Sequence, residues 1–506
     1  MNKIATILLC FCTSFIYPED TSCIVDFNNR EISRNIYTYP ESIESEHFKI
    51  HFTVSDADSQ LVNNQLMSLQ SNFGYAQSII DLLEFAMSKY MQDGWISPPP
   101  DCNDEITDIN ALNHCINFGG NALYDIYISN DAVGMVVPEN PYQIEPYTGG
   151  FTSYMKISTI SNAHETYPYW SHHVIAHELH HSIQLRYGSS TSGQIGNYSH
   201  NLWFFEQSAS YMENVVFPYS YHLLTMLSNC NVVTPLTYPE YGINYPAEIF
   251  PYRSALWHKF LVEAYGDSSI TRLIWENYGL DYASGDGVSL FPIYNNALDE
   301  VSNSNITLSD AFSEYAKWRY FTGERTETIL NYFNDSESYC ESKVSALADS
   351  SYALYSNTGG AYYFEVANNI NNIIISSSNF SKIVSYLLLI DANGNMTTVD
   401  LSLINENSTF YFTEYDNYSK VLVINSNYVD SLTNQIDFQI SVDSANLLGD
   451  INSDGAININ DVIILINYIL LHDEYSDEVF LSSDINSDLQ LNIMDVVQLI
   501  NIILSN

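Results

Sequence analysis

The sequence predicts a multidomain α+β protein: a mixed strand and helix domain, an antiparallel β-sandwich and a small all-helical module. Three observations carry that prediction. The chain has 506 residues, too many for one hydrophobic core, and 46% of them are apolar, enough to fill several. Near Ser345 the pattern changes from helical periodicity to short β-type runs separated by Asn, Gly and Asp. The C-terminal region holds an internal repeat, in which "DINSDGAININDVIILINYIL" from Asp450 returns as "DINSDLQLNIMDVVQLINIIL" from Asp484.

Lys3 precedes an apolar run at 4–17, so residues 1–18 read as a secretory signal too short to span a bilayer. The mature chain is therefore expected outside the cell, secreted or held at the cell surface, with 19–45 as an N-terminal segment. No later run reaches eighteen apolar residues, so no membrane span is expected. Sixty acidic residues against 16 basic give a formal charge of −44, which repels nucleic acid and anionic membranes and attracts divalent cations and cationic peptides. Cys23, Cys102, Cys115, Cys230 and Cys340 follow the signal, where disulfides are permitted. Cys102 with Cys115 is the favoured pair and Cys230 with Cys340 the next. None has the C-x-x-C spacing of a thiolate metal site.

Residues 46–335 form the mixed domain. "FKIHFTV" from Phe48, "LYDIYIS" from Leu123 and "SYMKIST" from Ser153 read as strands, and Ser68 to Tyr90 reads as a helix. Helical patterns dominate from Val174 to about Phe333. In 345–443, "AYYFEV", "IVSYLLLI", "TFYFTEY", "KVLVIN" and "IDFQISV" are the strands of the sandwich, with Asn393-Gly394 as a hairpin turn.

The stretch "WSHHVIAHELHHSIQLRYG", Trp170 to Gly188, contains H-E-x-x-H. On an amphipathic helix His177 and His181 leave the same face and can grip one metal ion, with Glu178 beside them, while Ile175, Leu179 and Ile183 pin the helix to the core. A catalytic zinc needs a third protein ligand and an open position. "WFFEQSASYMEN", Trp203 to Asn214, supplies Glu206, with Phe205, Ala209 and Met212 as the buried side of a second helix. Glu213, seven residues on, shares that face; it is either an alternative ligand or a carboxylate that orients a ligand histidine. His172, His173 and His180 read as surface or supporting residues.

These motifs resemble those of the gluzincin metallopeptidases, in which H-E-x-x-H is followed by a glutamate in a "W-x-x-E-G-x-A-x-Y" context; Gln207 stands here in place of the glycine. The series "NALYDIYIS", "VIAHELHHSIQ", "WFFEQSASYMEN" and "FTGER" also resembles a bacterial family of secreted metallopeptidases. The resemblance implies zinc bound by His177, His181 and Glu206, with Glu178 as the general base that takes a proton from the attacking water. "FPYRSALWHKFLVEAYG" resembles the "Y-E-K-G" helix of the aminopeptidase branch through Tyr252 alone, which would place Tyr252 at the oxyanion. The amino-group anchor "G-x-M-E-N" of that branch is split in "VGMVVPENP", which points to an endopeptidase acting on peptide or protein substrates.

In the terminal repeat, D-x-N-x-D places oxygen ligands at positions 1, 3 and 5 of a calcium loop, and the following Asn and Asp occupy positions 9 and 12. The first loop offers Asp450, Asn452, Asp454, Asn458, Asp461 and the carbonyl of Ala456; the second offers Asp484, Asn486, Asp488, Asn492, Asp495 and the carbonyl of Gln490. Over 448–506 this pattern resembles a dockerin, which implies Ca2+ and a cohesin-domain partner. Leu489 replaces the turn glycine of the second loop and weakens it if φ is positive there. Ile459-Asn460 and Ile493-Met494 stand where dockerins of cellulosomes tend to carry Ser and Thr, so a calcium-locked module without a partner is the competing reading. For the whole chain, the alternative to a tethered zinc peptidase is a catalytically relict adhesion or scaffold protein that binds through its β-sandwich and dockerin.

Overall fold

The computed structural model describes residues 34–505 except 63, 101–120, 122, 131–132, 160–169, 189–197, 247–248, 283–289, 303–304, 329–331, 348–350, 369, 371, 412–414, 416, 428–435, 444–447, 453–456, 472–476 and 487. The expected signal, most of the 19–45 segment, Cys23, Cys102, Cys115, Asp454 and Ala456 lie outside the described residues. The chain divides into two compact units. One holds the described residues up to Lys343 with Ser356–Ala361 and Asn425–Ile436; the other holds Val344–Tyr355, Tyr362–Ile424 and the residues from Asp437 onward.

In the first unit, strands β1 (Pro40–Glu44), β2 (Phe48–Thr53), β5 (Tyr124–Ser129), β6 (Gly134–Ile144) and β7 (Tyr147–Ser158) form a sheet in the order β1-β2-β5-β7-β6. β2, β5 and β7 run parallel, and the outer strands are antiparallel to their neighbours. β3 (Ser59–Val62) and β4 (Gln65–Ser68) make a separate hairpin. Beside it, the buried Asp58 carboxylate accepts the backbone N–H groups of Thr38 and Tyr39 and the hydroxyl of Thr53, fastening the start of the described chain to β2.

Helix α1 (Phe73–Gln92) starts later than its apolar spacing suggests, because Ser68 ends β4 and Asn72 caps the helix by accepting the N–H of Tyr75. Its buried stripe runs through Ala76, Ile79, Ile80, Leu83 and Met87, the three- and four-residue spacing of a helix lying on a sheet. Strand β6 has no counterpart among the expected elements. Pro138 and Pro141 weaken its strand signal, and the register shifts beside both, which an outermost strand tolerates because its free side needs no complete ladder.

Helices α2 (Trp170–Tyr187) and α3 (Tyr198–Val216) pack at the centre of this unit, followed by α4 (His222–Leu227), α5 (Phe250–Arg253), α6 (Leu256–Tyr265), α7 (Ile270–Tyr282), α8 (Leu290–Ser302) and α9 (Leu308–Tyr320). α2 is not the expected amphipathic helix. From Val174 to Leu185 it is buried on every side, with His180, Ser182 and Gln184 as inaccessible as Ile175 and Leu179. Sheet, α1 and α3 enclose it, so its polar residues must find partners inside the protein. Cys230 and Cys340 are joined in a disulfide across 110 residues.

Apart from the end residues Ser356, Ala361, Asn425, Ser426 and Ile436, the second unit contains β8 (Ser345–Leu347), β9 (Ser351–Ser356), β10 (Ala361–Val366), β11 (Asn372–Ser376), β12 (Ile383–Ile390), β13 (Met396–Asp400), β14 (Asn407–Tyr411), β15 (Ser419–Ser426) and β16 (Ile436–Asp443). They form two sheets, ordered β13-β12-β15-β10-β8 and β14-β11-β16-β9. The ring pairs Tyr352–Phe364 and Tyr362–Phe438 each join a strand of one sheet to a strand of the other. The hairpin β12–β13 turns through Asn393-Gly394, with Gly394 at φ +82°. The sheets are not wholly antiparallel: β8 pairs with β10 in parallel, because the chain reverses twice, through β9, before β10 is laid beside β8.

Helices α10 (Ile459–Leu471), α11 (Asp477–Ser483) and α12 (Ile493–Ser505) end the chain around a core of Ile451, Val462, Leu465, Ile485, Val496 and Leu499. Among the described residues, no helix is long and apolar enough to cross a membrane.

Candidate metal centre

Helices α2 and α3 bring together the three side chains singled out from the H-E-x-x-H and "WFFEQSASYMEN" motifs. His177 and His181 leave one face of α2 with their Nε2 atoms 3.0 Å apart. Glu206 Oε2, from α3, lies 2.9 Å from Nε2 of His177 and 3.2 Å from that of His181. All three residues are buried, and their ligand atoms lie within 4.8 Å of one another.

The outer nitrogens fix what the inner ones can offer. Nδ1 of His177 is 2.7 Å from Oε1 of Glu213, and a carboxylate only accepts, so this nitrogen donates. Nδ1 of His181 is 2.8 Å from Oε1 of Gln184, whose amide nitrogen is spent on Phe205 O and Ser208 Oγ. Both neutral imidazoles therefore turn an Nε2 lone pair toward the same carboxylate oxygen. Three acceptors converge on one point, an arrangement that calls for a cation between them. Two nitrogens and one carboxylate oxygen are a donor set suited to zinc.

Burial opposes ionisation of Glu213, yet His222 and His177 hold its carboxyl well below the usual range. Glu213 is thus not a ligand in this arrangement; it supports His177 from behind. Gln184 does the same for His181 and was not singled out from the sequence, because a glutamine three residues beyond a histidine has no signature of its own.

Glu178 lies beside β6. A Cβ on Gly134 would come within 2.7 Å of Glu178 Cγ and of Val174 Cγ1, so only glycine lets the strand and the helix approach this closely. Tyr252, on α5, lays its ring against that of His177, with centroids 5.6 Å apart and planes 18° from parallel. Gln207, in the place of the gluzincin glycine, donates its amide to Ser254 Oγ at 2.9 Å and so ties α3 to the end of α5. His180, expected at the surface or in a supporting place, is fully buried among Tyr90, Trp95 and Trp275, and burial pushes its imidazole far below its ordinary value. The physical reason is the burial of α2 on all sides. His172 and His173 are half-buried, packing against Tyr219 and His222.

In the terminal module, Asp461 accepts the N–H groups of Ile451, Asn452 and Asn458, and Asp495 accepts those of Asn486 and Asn492. Asp484 accepts those of Asp488 and Leu489. Asp450, Asp461, Asp484 and Asp495 are buried, each a carboxylate at the first or last position of its loop. Among the described residues, the loop carboxylates do not close on one point as the histidine set does. The carbonyl of Gln490 accepts the Asn492 amide, and Asn452, Asn458, Asn486 and Asp488 lie among the described residues. Leu489 adopts φ +63°, the left-handed conformation expected to strain the second loop.

Residues 448–504 match the dockerin type I domain model. The terminal repeat is thus of dockerin type, a calcium-binding module. No curated protein matches the chain.

Proposed function

We propose that this protein is a secreted zinc-dependent endopeptidase tethered through its dockerin to a cohesin-bearing partner. The observation that carries the reading is the convergence of His177, His181 and Glu206 on one point, each neutral imidazole committed to presenting a lone pair. Zinc held by these three side chains would supply Lewis-acid chemistry, polarising a peptide carbonyl and lowering the pKa of a water molecule.

The chain's own residues supply the rest. Glu178, which lies against Gly134 beside Val174, takes the proton of the attacking water and returns it to the leaving amine. The outermost strand β6 lies against Glu178, and its outer edge, which has no partner strand among the described residues, offers backbone groups to an extended peptide. Tyr252, stacked on His177, is the residue that would give its hydroxyl to the developing oxyanion. The dockerin gives such a peptidase an address on an extracellular assembly, and its two calcium loops set the fold of that address.

The test is Glu178→Gln in the full chain, assayed on casein with zinc content measured in parallel. The variant is expected to keep its zinc and lose cleavage by a factor of a hundred or more. Cleavage equal to wild type would remove Glu178 from the chemistry, and a wild-type protein that takes up no zinc through Glu206 would sink the reading.

A further inference from the structure

We infer that His222 is a positioning residue of the metal centre, acting on His177 through Glu213; the inference rests on the metal reading above. Glu213 is buried and uses both carboxylate oxygens: Oε1 receives His177 Nδ1 at 2.7 Å, and Oε2 receives His222 Nδ1 at hydrogen-bond distance. A carboxylate held at one oxygen can swing about that contact. Held at both, it has a fixed plane, and the plane of the carboxylate fixes the rotation of the His177 ring. The ring rotation in turn decides where the His177 Nε2 lone pair points.

Two further features hold His222 in that place. Tyr221, immediately before it, adopts φ +53° although it is not a glycine, and its ring is exposed. A strained backbone at a residue with little packing of its own points to what the strain positions, which is the first residue of α4. On its other side the His222 ring is stacked on His173, with centroids 4.1 Å apart and planes 18° from parallel. His173 stands one helical turn before His177 on α2, so the helix that carries the ligand also braces the last member of the chain. The His222 side chain is 28% exposed, so the series His177–Glu213–His222 runs from the buried centre to solvent.

The experiment uses the full chain with calcium in excess, so that the dockerin loops are filled, and measures zinc affinity by competition with a chromophoric chelator. His222→Phe keeps a ring against His173 and removes the donor; His222→Asn keeps a donor near the position of Nδ1 and removes the ring. The phenylalanine variant is expected to weaken zinc binding about tenfold, and the asparagine variant to stay within about threefold of wild type. Cobalt substituted for zinc should show an altered visible spectrum in the phenylalanine variant alone. Zinc bound equally by wild type and His222→Phe, or lost equally in His222→Phe and His222→Asn, would overturn the inference while leaving the metal centre standing. A wild-type protein whose zinc does not depend on Glu206 would overturn both.

Discussion

Tyr252 lies almost flat against His177, 5.6 Å from centroid to centroid. Stacking and hydroxyl chemistry are separable in this pair. Tyr252→Phe keeps the ring and should lower turnover by about a hundredfold with little change in KM, because the lost hydroxyl matters only as charge develops on the carbonyl oxygen. Steady-state kinetics on a peptide substrate read this directly. A rise in KM with turnover intact would assign Tyr252 to substrate placement.

Gln184 holds His181 as Glu213 holds His177, but with a neutral amide. Gln184→Ala removes the acceptor for Nδ1 and also the bonds to Phe205 O and Ser208 Oγ. Zinc affinity should fall by about ten- to a hundredfold, measured by chelator competition. Gln184→Glu restores an acceptor and should recover most of the zinc affinity. Equal loss in both variants would mean that packing, not the acceptor at Nδ1, is what His181 needs.

Asp58 governs a different part of the molecule. Burial raises its carboxyl, but the bonds from Thr38, Thr53 and Tyr39 prevail and lower it from 3.8 to about 2. Because the folded value lies below the unfolded one, this carboxylate stabilises the fold above pH 4, and that contribution is lost as pH falls from about 4 to about 2. Asp58→Asn should therefore give a shallower fall of the unfolding midpoint between pH 5 and pH 2. An unchanged slope would show that the three donors keep the same hold on a neutral side chain.

The second calcium loop carries its strain at Leu489, φ +63°. Leu489→Gly should relieve about 1 kcal/mol and strengthen calcium binding at that loop by about fivefold, leaving the first loop unchanged. Calorimetric titration of the full chain separates the two sites. A uniform shift of both would mean that the loops bind as one cooperative unit.

How much of this was legible beforehand depended on how local the signal was. His177 and His181 could be read because helical spacing places them on one face, Glu206 because its surroundings resemble the third-ligand segment of gluzincins, and Glu213 because it lies two turns beyond Glu206. The polar burial of α2 could not be read: a helix is surrounded by elements far away in sequence, and His180 looks like any exposed histidine until Tyr90, Trp95 and Trp275 close over it. Strand β6 was hidden by Pro138 and Pro141, which obey the rules of an edge and not those of a central strand. The parallel pairing of β8 with β10 escaped notice because hydrophobic alternation reports which residues face inward and is silent on strand direction.

Those two prolines have a consequence for the company the protein can keep. A bare sheet edge invites strands from any neighbour, and in a protein at high local concentration that is a route to fibrils. Here the regular stretch of β6 runs from Gly134 to Pro138, beyond which the register slips, and Pro138 and Pro141 have no N–H to give. The border admits a guest only a few residues long and then turns it away, so the same short stretch that could hold a peptide for cutting cannot seed a growing stack.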